Sequence, residues 1–75
     1  MKNQTFSIGD AAKKTGITQK QIRNWEERGY ISKADRVLSG DRAYRRFTPS
    51  QVETMRLIKE NLDAGFTLKS AVQKV

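Results

Sequence analysis

Lys20, Arg23, Asn24 and Glu27 recur at three- and four-residue spacing. A helix over residues 19–28 with Ile22 turned inward would therefore carry all four on its outward face. Those side-chain types can read a nucleic acid. Arginine can donate two hydrogen bonds to one guanine in the major groove, asparagine can pair with an adenine edge, and lysine can neutralise a phosphate. The bland alternative is a solvated face with an Arg23–Glu27 pair contributing only about 0.3 kcal/mol. Trp25 falls at the border of the inward face, where an aromatic ring is expected to pack into the core while its N–H stays free to reach a phosphate.

A second basic group follows. Arg36, Arg42, Arg45 and Arg46 have only Asp35 and Asp41 between or beside them. Charges on strand edges also guard against aggregation, but four arginines exceed that need and point to phosphate or minor-groove contacts. The chain as a whole has 15 Lys and Arg against 8 Asp and Glu, a net charge of +7. Residues 13–46 alone hold ten bases and four acids, a net +6. Such a concentrated excess fits a polyanion-binding surface, although a basic face that only aids solubility gives the same count.

Other chemistry is poorly provided for. Histidine and cysteine are both absent, which removes disulfides, thiolate metal sites and the usual ligands of a protein-built zinc site. No carboxylates converge in a pattern suited to acid–base work, so an enzyme is not expected, nor is a cofactor. No apolar run approaches the roughly 20 residues of a membrane span, and the polar start at residues 1–4 lacks the apolar stretch of a signal peptide. The expected location is cytoplasmic.

The elements that position these residues are well punctuated. Seventy-five residues are too few for two cores, so one domain over residues 1–75 is expected. Ser7 with Asp10 three residues on can cap a helix over 8–15, which Gly16 ends by supplying positive φ. Thr18 and Gln21 form a capping box for the helix over 19–28, closed by Gly29. Helical spacing then disappears until Phe47. Ser39-Gly40-Asp41 gives turn chemistry between Tyr30-Ile31-Ser32 and Ala43-Tyr44-Arg45-Arg46-Phe47, predicting a basic β-hairpin over about 31–47. Thr48 and Gln51 box a third helix to about Asp63, with Pro49 at its first position and Val52, Met55, Ile58 and Leu62 as its core stripe. Gly65 ends it, and Thr67 caps a fourth helix whose apolar residues are Leu68, Ala71, Val72 and Val75. The fourth helix carries no C-terminal cap signal, so a truncation before further sequence is expected.

Two short helices joined through Gly16-Ile17-Thr18 make a helix-turn-helix pattern, with Ala12 expected where the helices cross and Ile22 behind the second. An ordinary helical hairpin would look similar from these features alone. The fold class is therefore mainly α: a winged helix-turn-helix with about four helices and a two-stranded wing.

At this point the sequence resembles the amino-terminal domain of the MerR family of bacterial transcription regulators. Phe6 to Thr18 resembles the family's opening helix and turn, and Ile22-Arg23-Asn24-Trp25-Glu26-Glu27-Arg28-Gly29 its Ile-Arg-Tyr-Tyr-Glu recognition segment. Tyr44-Arg45-Arg46-Phe47 resembles the end of the wing, Thr48 to Ile58 the helix after it, and Gly65-Phe66-Thr67-Leu68 the start of the fourth. The resemblance implies a second helix in the major groove of double-stranded DNA and a wing on the flanking backbone or minor groove. It also implies a palindromic operator and a homodimer built through sequence beyond this domain, the chain alone being monomeric. The residues expected at the DNA are Thr18, Lys20, Arg23, Asn24, Trp25, Arg36, Arg42, Tyr44, Arg45 and Arg46. Two departures stand out. Asn24 and Trp25 replace the paired tyrosines, and the stretch from Gly29 to Tyr44 is longer than usual and lacks the proline often found near Lys33. Rival expectations are an excisionase-like protein that shapes DNA, and a helical adaptor whose basic face binds an acidic protein.

Overall fold

The computed structural model describes residues 4–75 as four helices and one hairpin. The chain order is α1 (Ile8–Thr15), α2 (Gln19–Glu27), β1 (Asp35–Ser39), β2 (Arg42–Arg46), α3 (Pro49–Asp63) and α4 (Leu68–Gln73). Residues 1–3, part of the polar start considered above, lie outside the described residues.

The helix boundaries follow from their caps. Ser7 Oγ accepts the Asp10 N–H at 3.1 Å. The Thr18 and Thr48 hydroxyls accept from the N–H groups of Gln21 and Gln51, whose side chains accept the threonine N–H in return. These reciprocal bonds satisfy donors that no helical carbonyl can reach. At the other ends, α2 and α3 close alike. The Gly29 and Tyr30 N–H groups turn back to the Glu26 and Trp25 carbonyls, and Gly65 and Phe66 do the same to Leu62 and Asn61, which is the Schellman pattern.

That closure corrects one expectation. Tyr30-Ile31-Ser32 is not a strand, because Tyr30 and Ile31 use their N–H groups on the Trp25 carbonyl at 2.9 and 3.5 Å. Ile31 then enters the core. The hairpin consequently begins at Asp35, with the register Asp35↔Arg46, Arg36↔Arg45, Val37↔Tyr44, Leu38↔Ala43 and Ser39↔Arg42. Its loop is only Gly40-Asp41, with Gly40 at φ 62°. Glycine with positive φ at the first of two loop residues suits the right-handed twist of the strands. Phe47 leaves the hairpin and bridges instead to Phe6 through two 2.8 Å backbone bonds.

The helix-turn-helix crossing is tightened by a buried threonine. Thr15 donates to the Ala11 carbonyl at 2.7 Å and accepts from the Ile17 N–H at 3.3 Å. Gly16, at φ 77°, makes the left-handed step between them. The alanine fully enclosed here is Ala11, whereas Ala12 is half-buried against the core. Side chains from α1, the turn, α2, the 31–34 linker, Phe47, α3 and α4 form one apolar cluster, with Ile22, Phe47, Met55 and Ile58 fully enclosed. Of the expected stripe on α4, Ala71 is buried, Leu68 and Val72 are half-buried, and Val75 is exposed.

The hairpin stands apart from this arrangement. Among the described residues neither strand packs broadly on a helix, and Leu38, near its tip, is 78% exposed. Met55→Ala should therefore lower stability by about 2–5 kcal/mol through the cavity it opens, whereas Leu38→Ala should leave urea unfolding almost unchanged. Equal losses for the two would contradict this division between core and wing.

Candidate nucleic-acid interface

Helix α2 presents one polar face to solvent. Lys20, Arg23, Asn24 and Glu27 are all exposed, while Ile22 and Trp25 lie on the buried side. The side chains of Lys20, Arg23 and Asn24 make no hydrogen bond or ion pair to any other described residue, and no Arg23–Glu27 pair forms. The donors of Arg23 and Asn24 are therefore open to an external partner. Trp25 is only 3% exposed, which agrees with the expected packing role and withdraws its ring from any stacking contact. Thr18 is exposed, but its hydroxyl already serves the cap and also donates to Gln21 Oε1 at 3.2 Å.

The four wing arginines fall into three situations. Arg36 and Arg45 face each other across the strands, a like-charge pairing that is unfavourable by itself. Glu26 relieves it. This carboxylate, from the buried side of α2, accepts from Arg36 at 3.2 Å through each oxygen and from Arg45 Nε at 3.0 Å. It also accepts the Ala34 N–H at 2.6 Å. Arg46 binds elsewhere, donating to the Thr5 hydroxyl and carbonyl at 3.0 and 2.9 Å. Arg42 is exposed beside the loop, with no partner among the described residues. Tyr44 is half-exposed opposite Val37 on the other face of the ribbon from Arg36 and Arg45.

Sequence reasoning therefore recognised the arginines but not what holds three of them. Glu26 had appeared as one acid in a charge count and at the end of the segment resembling Ile-Arg-Tyr-Tyr-Glu, with no partner assigned to it. Its signal was positional, since it lies four residues after the inward Ile22 and so on the same side of the helix. An acid there must be paired if it is buried. Arg36 and Arg45 are the partners, and the edge-protection alternative overlooked this third role. The linker is held from a second direction, because Gln51 Nε2 donates to the Ser32 and Lys33 carbonyls at 3.3 and 3.0 Å.

Charge and burial set the acidity of Glu26. Burial alone would raise its pKa, but hydrogen bonds from Arg36, Ala34 and Arg45 and the Arg36 charge outweigh it and hold the group at about 2.

The chain has clear relatives. Residues 6–75 match the family model described as MerR HTH family regulatory protein. The sequence is 39% identical over 68 residues to a probable heavy metal-dependent transcriptional regulator of Haemophilus influenzae, a match covering 91% of this chain and 51% of that protein. It is 39% identical over 63 residues to the HTH-type transcriptional regulator CueR of Yersinia pestis, covering 84% and 43%. Among solved structures, a MerR-family transcriptional regulator from Bacillus cereus superposes with a TM-score of 0.79 at 16% identity, over 93% of this chain and 50% of that one. HiNmlR, a MerR family regulator lacking the sensor domain and bound to promoter DNA, gives 0.75 at 24% identity, over 93% and 51%. The chain thus spans about half the length of these relatives.

The Glu26 cluster makes stability depend on acid. Between pH 4.5, the ordinary carboxyl value, and about 2, the unfolded chain takes up a proton that folded Glu26 refuses. Its stabilising contribution is complete above that window and disappears as pH falls through it, a loss of up to about 3 kcal/mol. Urea unfolding of the natural chain and Glu26→Gln should show a gap that narrows from pH 5 to pH 2. A gap independent of pH would contradict the paired carboxylate.

Proposed function

Because the chain belongs to the MerR HTH family of regulatory proteins and carries its winged helix-turn-helix DNA-binding fold, we propose that it recognises a DNA sequence with α2 in the major groove. The wing then lies along the neighbouring backbone or minor groove. The observation that carries this reading is the outer face of α2. There, exposed Arg23 and Asn24 have no partner among the described residues, on a helix fixed from behind by Trp25 and Glu26.

In this reading Arg23 and Asn24 address base edges, and Lys20 and Arg42 address phosphates. Thr18 and Tyr44 lie at the margins of the contact. Trp25 supports it from the core, and Arg36 and Arg45 through their bonds to Glu26. The relative bound to promoter DNA supports the same use of the fold here, acting in the cytoplasm on transcription. For the wider regulator, whose relatives are about twice this length, the fitting arrangement is a homodimer on a palindromic operator. The 75-residue chain would then be a monomer binding one half-site, without the gain of two linked contacts.

Two measurements test the division of labour. Neutralising roughly four or five phosphates gives a log–log salt slope of about −4, measurable by titration of a labelled duplex; a slope near zero would overturn the reading. Arg23→Ala should cost about 1–3 kcal/mol on the preferred sequence and little on random DNA, whereas Arg42→Ala should weaken both alike. Equal losses on both duplexes for Arg23→Ala would move that residue to the backbone.

A further inference from the structure

Glu26 neither faces the outer side of α2 nor belongs to the hairpin, yet it binds both inner wing arginines and the linker between the two elements. Arg36 uses three donor bonds on Glu26 and the Ala34 carbonyl, and Arg45 uses its Nε. A guanidinium engaged in this way has fewer donors left for a phosphate, and the carboxylate cancels one of the pair's two charges. The clamp also ties both strands directly to α2, with which, among the described residues, neither strand packs broadly.

We propose that Glu26 is a specificity-determining residue that never touches DNA: it positions the wing against the reading helix and withholds wing charge from indiscriminate phosphate contact. The inference rests on the DNA-binding reading above. Its physical basis is that phosphate attraction is common to all sequences, whereas base contacts and a matching wing position are gained only on the right one. Loss of the carboxylate should thus strengthen binding to arbitrary DNA while weakening the advantage of the preferred sequence. Glutamine at this position keeps the shape but offers one acceptor oxygen where four donor bonds converge, and its amide N–H groups face other donors.

The test compares a duplex selected by the chain from a random library with a scrambled duplex of equal length, each titrated across a salt series. Glu26→Gln should bind the scrambled duplex about two- to fivefold more tightly at low salt, with the slope steeper by about one. Its ratio of selected to scrambled affinity should fall at least about tenfold. Glu53→Gln makes the same charge change on the exposed side of α3, where Glu53 pairs with Arg56, and should shift both duplexes by one common factor. An unchanged ratio in Glu26→Gln, or the same ratio change in Glu53→Gln, would overturn the proposal.

If circular dichroism shows Glu26→Gln unfolded, Arg36→Gln decides instead, since Ala34 and Arg45 still hold the carboxylate. It should reduce affinity for the selected duplex at least about threefold and leave the slope on the scrambled one unchanged. A slope flatter by about one would make Arg36 a phosphate contact and overturn the role given to Glu26. Natural-chain binding with no salt dependence would overturn the DNA reading itself, an outcome distinct from either.

Discussion

A buried carboxylate must be paired or it destabilises the fold around it, and in this domain that constraint falls on Glu26. Its partners come from three places in the chain: the linker at Ala34, the first strand at Arg36 and the second at Arg45. A two-stranded hairpin is marginal by itself in water, and among the described residues neither strand packs broadly on a helix. The ion pairs join the strands to α2, beside the anchors that Ala34 and Phe47 give in the core and that Arg46 makes to Thr5. Because Glu26 belongs to α2, the wing is tied to the same helix that exposes Arg23 and Asn24, and the two elements are held in one frame.

The rest of the architecture keeps that frame rigid. Trp25, adjacent to Glu26, fills the core behind α2, and its carbonyl closes the helix by accepting from Tyr30 and Ile31. Thr15 ties the turn between α1 and α2, and Gln51 reaches from the start of α3 to the linker. These contacts enclose polar groups with satisfied partners; among the described residues no buried side-chain nitrogen or oxygen lacks one. Satisfied polar groups of this kind favour one arrangement over slightly shifted ones.

Helix boundaries were legible in the sequence because caps are local. Thr18 with Gln21, and Thr48 with Gln51, announce their helices within four residues, and the outward face of α2 follows from its period. The first strand was not legible. Tyr30 and Ile31 look like strand residues by type, but their N–H groups are used to end α2 and Ile31 goes to the core. The wing was visible as a basic ribbon, yet the role of each arginine depends on partners 10 and 19 residues away for Arg36 and Arg45 and 41 away for Arg46. No local pattern encodes such pairings. Arg42, beside the loop, has no partner among the described residues.

Glu26 joins the wing to α2. Residue-resolved amide hydrogen exchange on free Glu26→Gln, compared with the natural chain, tests it most directly. Protection should fall at Ala34 and through β1 and β2, while amides beside Met55 and Ile58 in α3 keep theirs, since local opening follows the contacts that hold each unit. Unchanged protection across Ala34 and the hairpin, in a variant that remains folded, would contradict the account.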